Sequence, residues 1–195
     1  RGELEWLMRE STAGVERFAA RTAPDIATIL DTLSPQQIAQ AAGEMKKSER
    51  ERFEKLELPE EDYVRHRLKA ARKNLNTWLG SYTPEQLAEY ERFIRKNRPE
   101  ELRRRRRTQQ NQQALLDTLN ARRGPQVLSH VLHHWMTRQE IEETPEYQTA
   151  ETRSQGEFID FLLTMDRSLS PLQRRHLLTE LRAWRKDFDD LSHGR

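Results

Sequence analysis

The sequence predicts an all-α fold, and three observations carry that prediction. Leu occurs 24 times while Val and Ile together occur 10 times, so straight-chain helix formers far outnumber the β-branched residues that favour strands. No stretch shows the alternating Val/Ile/Thr pattern of a half-buried strand. Apolar residues instead recur at helical spacing: Val64, Leu68, Ala71, Leu75 and Trp78 step by four, three, four and three, and Leu177, Leu181, Trp184, Phe188 and Leu191 repeat the same steps. This periodicity separates the chain from a disordered one, despite a mean hydropathy of −1.02 and 34% charged residues.

The elements follow from a repeated start signal. Leu33-Ser34-Pro35-Gln36-Gln37, Tyr82-Thr83-Pro84-Glu85-Gln86 and Leu169-Ser170-Pro171-Leu172-Gln173 share the order apolar, Ser/Thr, Pro, any, Gln. Ser34, Thr83 and Ser170 serve as N-caps, and Pro35, Pro84 and Pro171 stand where no amide donor is needed. Gln37, Gln86 and Gln173 reach back to the cap's own N–H, completing a capping box. Thr144-Pro145-Glu146 and Leu58-Pro59-Glu60-Glu61 are weaker versions. Eight helical segments result, near residues 3–31, 35–56, 60–79, 84–97, 100–121, 125–138, 145–167 and 171–191. The first carries an interior Pro24, Gly80 and Gly124 read as C-cap glycines, and Asn97-Arg98-Pro99 reads as a helix break.

Narrow apolar stripes with charged flanks describe an elongated or curved bundle of seven to eight helices, joined by short loops into antiparallel hairpins. The length allows one domain or two small helical subdomains, and a single helical domain over residues 1–195 is expected. Leu68, Leu75, Trp78, Leu177, Leu181 and Trp184 are the expected buried seam. Trp6, Trp78, Trp135 and Trp184 read as core anchors, with an exposed client-binding patch as the competing assignment.

The absence of Cys excludes a disulfide framework, a thiol nucleophile and Cys-ligated metals. No apolar run approaches the ~18 residues of a membrane span. There is no phosphate-cradling glycine loop and no nucleophile elbow, and no carboxylate sits in an apolar setting that would tune it for acid–base work. An enzyme is not expected, nor a cofactor. His130, His133 and His134 could offer two imidazoles on one helix face, but no third ligand is identifiable and no metal site is expected.

Charge is unevenly spread although the net charge is only +2. Nine Lys/Arg and two Glu fall between Arg92 and Arg107, whereas residues 139–151 hold five Glu and no Lys or Arg. Arg92, Arg95, Arg103, Arg104, Arg106 and Arg107 are candidate contacts for a protein partner, an anionic lipid or another polyanion. Five consecutive helical arginines, however, cover every face, and pairing with acidic helices is the simpler expectation. Phe93 is the only aromatic in this stretch, which argues against base stacking and so against nucleic acid.

The ordered boxes carry a resemblance. Ala23-Pro24-Asp25-Ile26-Ala27, the Ser34 box, Trp78-Leu79-Gly80 with the Thr83 box, Ser129 to Trp135, Thr144-Pro145-Glu146-Tyr147 and the Ser170 box are together similar to an uncharacterised bacterial lipoprotein family of helical envelope proteins. The boxes look more distantly like the Leu-Thr-x-x-Gln motif of periplasmic stress chaperones related to Spy and CpxP, where it opens helices of a thin, client-holding cradle. The resemblance implies a signal peptide, a lipidated Cys and an aromatic-rich helical stretch ahead of Arg1. Residues 1–195 would then be the C-terminal major part of a longer lipoprotein, anchored on the periplasmic side of the envelope, for instance at the outer membrane. The function so implied is non-enzymatic binding of protein clients or of an anionic envelope component, in a chaperone- or scaffold-like manner. The alternative from the residues is an intracellular helical protein that binds nucleic acid through residues 92–107.

Overall fold

The computed structural model describes residues 1–137 and 144–192, with side chains through Asp190. Helix covers 91% of the described residues, and no strand occurs among them. The helices are α1 (Gly2–Asp31), α2 (Pro35–Phe53), α3 (Glu60–Leu79), α4 (Pro84–Asn120), α5 (Pro125–Thr137), α6 (Pro145–Ser168) and α7 (Pro171–Ser192), with a 3₁₀ turn at Glu54–Glu57 after α2. Leu191 and residues 139–143 of the acidic run lie outside the described side chains.

Local chemistry sets the helix starts. Ser34 Oγ accepts from the Gln37 amide at 3.2 Å, and Gln37 Oε1 accepts from the Ser34 amide at 2.8 Å. The same reciprocal pair joins Thr83 to Gln86, at 3.3 and 2.9 Å. Ser170 and Gln173 repeat it at 3.2 and 2.9 Å. Thr144 accepts from the Tyr147 amide at 3.2 Å, while Pro59, with no side-chain oxygen, precedes α3 without a side-chain cap. Helix α3 stops at Gly80, whose φ of +74° suits a residue without Cβ; a Cβ there would also press on the His176 ring at 3.3 Å.

Two expectations about helix ends fail. The break expected at Asn97-Arg98-Pro99 does not occur, because α4 runs through Pro99 to Asn120. An interior Pro costs roughly 3 kcal/mol, and here strong helix formers flank it while ion pairs hold the residues on both sides. Gly124 does take a left-handed φ of +86° between α4 and α5, but the turn at the end of α4 is made two residues before it. Arg122 takes the left-handed position at φ +50°, with its amide on Leu119 O at 3.2 Å and the Arg123 amide on Thr118 O at 3.4 Å. The strain at Arg122 is offset by its guanidinium, which donates to the carbonyls of Asp31 at 3.0 Å and Leu33 at 2.5 Å and so closes the end of α1.

The chain divides into two compact units, one of Arg1–Glu57 and Arg98–Gln155, the other of Leu58–Asn97 and Gly156–Arg195. In the first, Ala19, Ala23 and Ala27 form a buried small-residue row on α1, and α5 packs against α1. Ala23 and Ala27 share a core with Ile38, Leu115, Leu119, Leu128, Val131 and Leu132. In the second, Leu75 and Leu79 of α3 meet Phe161 and Met165 of α6. Phe161 stacks on Phe93 at 4.4 Å and takes the edge of Tyr90 at 5.1 Å.

The expected seam is only partly buried. Leu75 is buried and Leu68, Trp78 and Leu177 are half-buried, but Leu181 and Trp184 are exposed. Trp6 and Trp135 are exposed too, so three of the four tryptophans are not core anchors, while Trp78 packs against the core of Leu75, Leu79, Phe161 and Met165. The reason is one of reach: the stripe of α7 is covered at Gln173 and Leu177 and continues beyond what covers it.

Two start boxes are joined into tertiary structure. Gln86 and Gln173, 1% and 4% exposed, exchange amide hydrogen bonds: Gln86 Nε2 donates to Gln173 Oε1 at 3.2 Å, and Gln173 Nε2 to Gln86 Oε1 at 2.9 Å. The remaining donors go to Ser168 O at 3.1 Å and Ser81 O at 3.0 Å. Each amide thus serves its own cap and the other helix start at once, which leaves no buried polar atom of the pair unmatched. Gln173→Leu should cost about 2 kcal/mol by leaving one Gln86 donor, the Ser81 carbonyl and the Ser170 amide without their partner, whereas Gln37→Leu, in the solvated Ser34 box, should cost under about 1 kcal/mol. Urea titrations of both variants check this, and equal losses would mean that the buried pair adds nothing to the cap.

Candidate functional site

The basic segment 92–107 is the first candidate, and its geometry is largely that of internal pairing. In the second unit Arg92 pairs with Glu89. Arg95 grips Glu61 through two nitrogens, at 2.8 and 2.9 Å, and also reaches Glu60 at 3.1 Å and Glu91 at 2.8 Å. Lys96 lies 3.5 Å from Glu157. Arg95 holds the Glu61 carboxyl below its ordinary value, chiefly by hydrogen bonding, and these carboxylates in turn raise the Arg95 guanidinium. Glu85, Ala88, Glu91, Arg92 and Arg95 line a shallow depression of ≈ 410 Å³, in which acids and bases face each other.

In the first unit Arg98 donates to Leu56 O at 3.2 Å. Arg103 and Arg104 share one buried carboxylate, Glu100. Arg105 sits between Glu49 at 2.9 Å and Glu57 at 2.7 Å, and those hydrogen bonds raise its guanidinium. Arg107 donates to the Tyr147 hydroxyl at 2.9 Å, with Glu151 at 4.0 Å. Arg106 is exposed and pairs with no carboxylate among the described residues. Helical geometry explains the spread, since consecutive residues are turned about 100° from one another.

Arg104 and Arg107 nevertheless share a feature that spacing did not show. With Arg52 they line a cleft of ≈ 840 Å³ in the first unit, together with Asn111, Trp135 and Tyr147. Arg52 lies 5.2 Å from the Phe53 ring and makes no ion pair among the described residues. The Arg107 guanidinium stands 5.5 Å over Tyr147. Of the other candidates, Arg103 is turned toward Glu100, and Arg92 and Arg95 belong to the second unit. No sequence signal ties Arg52 or Trp135 to Arg104; the cleft is assembled from five helices.

The histidines are close but lack a ligand set. His130 and His134 rings are 4.7 Å apart, and His133 Nε2 lies 3.2 Å from Glu16 Oε2. Among the described residues no group of three His, Cys, Asp or Glu could hold a metal ion.

Exposed apolar faces are the second candidate. On α7 exposure climbs along one stripe, from half-buried Leu177 to Leu181 at 47%, Trp184 at 53% and Phe188 at 62%. Trp184 meets Trp78 at 5.2 Å and Phe188 at 6.0 Å, so the side chains form one continuous surface within the second unit. On α1, within the first unit, Leu7, Val15, Phe18, Ile26 and Ile29 are all exposed. Their spacing of eight, three, eight and three puts them on one face, roughly 110° around the helix from the buried alanines. The spacing of that stripe is a sequence signal of the same kind as the two stripes around the tryptophans.

The clamp on Glu61 sets a pH dependence. A carboxyl lowered by folding contributes stability above its ordinary value of 4.5, and that contribution disappears as pH falls through the depressed folded value. Melting temperatures measured from pH 6 to 3 should therefore fall more steeply for the wild type than for Glu61→Gln; parallel curves would show that Arg95 does not discriminate the ionised form.

No similar curated protein and no similar solved structure is found for the chain. A family of unknown function, DUF6279, matches residues 2–148, which include the Ser34 and Thr83 boxes and the whole basic segment. The chain belongs to the family of unknown function DUF6279.

Proposed function

We propose that this protein is a non-enzymatic helical binding domain of the bacterial cell envelope that holds apolar segments of protein clients. One observation carries the reading: each unit exposes an apolar helix face, Leu181-Trp184-Phe188 on α7 and Leu7-Val15-Phe18-Ile26-Ile29 on α1, in a chain that has little apolar surface to spare. A contiguous apolar run in solvent lowers stability margins against aggregation and persists where it meets a partner. Flanking charges on the same helices, such as Arg182, Arg185 and Asp187 on α7, keep such a face in solution and give weak, reversible contacts. The likeness of the start boxes to client-holding envelope proteins supports the same class of role and an anchored, periplasm-facing location. The internal pairing of most of residues 92–107 weighs against nucleic acid there, since it leaves no continuous basic track for a phosphate backbone.

The test uses a permanently unfolded chain, reduced and carboxymethylated α-lactalbumin, with binding read by fluorescence anisotropy. Leu181→Ser/Trp184→Ser/Phe188→Ser and Phe18→Ser/Ile29→Ser should each weaken binding by about tenfold, and both together should abolish it. Because these side chains are exposed, each substitution should shift stability by only about 0.5 kcal/mol. Wild-type protein that ignores the unfolded chain, or variants that bind it undiminished, would overturn the proposal.

A further inference from the structure

The cleft of the first unit differs in chemistry from both apolar faces. Among the described residues three arginines line it, Arg52, Arg104 and Arg107, against one lining carboxylate, Glu151. Glu100 is shared by two arginines, Arg103 and Arg104, so it neutralises only one of them. The described lining therefore carries excess positive charge, in guanidinium groups whose forked donors match carboxylate and phosphate oxygens. Amides and hydroxyls make up much of the rest, Asn111, Gln112, Gln148 and Thr108 among them. Asn111 is 3% exposed, a polar side chain at the cleft floor whose amide reaches His134 O at 3.5 Å. Three aromatic rings, Phe53, Trp135 and Tyr147, complete the wall.

We propose that this cleft binds an acidic oligosaccharide, a short run of sugars bearing carboxylate or phosphate groups. The arginines meet the acid groups, the amides and hydroxyls meet the sugar hydroxyls, and Trp135 and Tyr147 lie against the apolar faces of the rings. A volume of ≈ 840 Å³ is far more than one small anion fills and lies within the range of small-ligand sites. A lipid tail would leave the amides and arginines without partners, which is costly once water is excluded. The inference is independent of the client-binding reading, because it uses a different site and none of the apolar stripe residues.

Isothermal titration calorimetry on the full 195-residue chain tests it with four probes: tetragalacturonate, maltotriose carrying a phosphate, uncharged maltotetraose and inorganic phosphate. At least one acidic sugar should bind with a single site and weaken as salt rises, while maltotetraose should not bind. Whether the carboxylated or the phosphorylated probe binds tells which acid group the arginines prefer. Arg104→Gln/Arg107→Gln should weaken binding by about tenfold, as loss of charge-assisted pairs requires. Trp135→Ala, at an exposed ring, should weaken it at least threefold with an unchanged melting temperature, and Arg175→Gln, in the second unit, should leave it unaltered. Failure of both acidic sugars to bind, equal binding of maltotetraose, full displacement by equimolar inorganic phosphate, or undiminished binding by Trp135→Ala and the double arginine variant would each overturn the proposal.

Discussion

Satisfying the ends of helices is the constraint on which this structure depends. Every helix start presents four amides without intrahelical partners, and a chain with 34% apolar residues has little packing energy to cover for them. The Ser/Thr-Pro-x-Gln box solves the problem within a single turn. At Gln86 and Gln173 the same amides that complete two boxes also bind each other, so the starts of α4 and α7 are held by the groups that cap them. Burial makes this pairing strong, because no water can replace a lost partner.

The same economy governs charge. Arg95, Arg103, Arg104 and Arg105 each find carboxylates at short range, and Arg122 uses its charge to close the carbonyl end of α1. Exposed pairs of this kind contribute little singly. Their more important effect is specificity: a helix with five consecutive arginines is oriented by where the acids lie. In the first unit Arg52, Arg104 and Arg107 then gather at one cleft, rather than lying along the whole basic segment.

The apolar residues divide in the same way. On α1 the buried alanines and the exposed apolar stripe lie on different faces, and on α7 one stripe passes gradually from half-buried to exposed. A stripe of this kind needs no extra structure to serve as a binding surface. It is the continuation into solvent of the seam that holds the helix in place, so its foot is rigid while its tip is free to meet a partner.

The helical class and the positions of helix starts were legible in the sequence because caps and boxes act over three residues. Ser34, Thr83 and Ser170 needed no distant information to be read. Pro99 was misread because its local cost is real but is outweighed by what flanks it, and Gly124 was misread because Arg122 is held in a left-handed conformation by carbonyls some ninety residues away. Periodicity located the stripe from Leu177 to Phe188 but not where its cover ends, since burial depends on how far a neighbouring element extends. The cleft was invisible for the same reason: Arg52, Arg104 and Trp135 have no relation along the chain, and only packing brings them together. The sequence by itself thus determined which segments are helical and where they begin, because those interactions are local; the tertiary structure decided which apolar and charged side chains are spent on folding and which are left to bind, because that depends on partners far away in sequence.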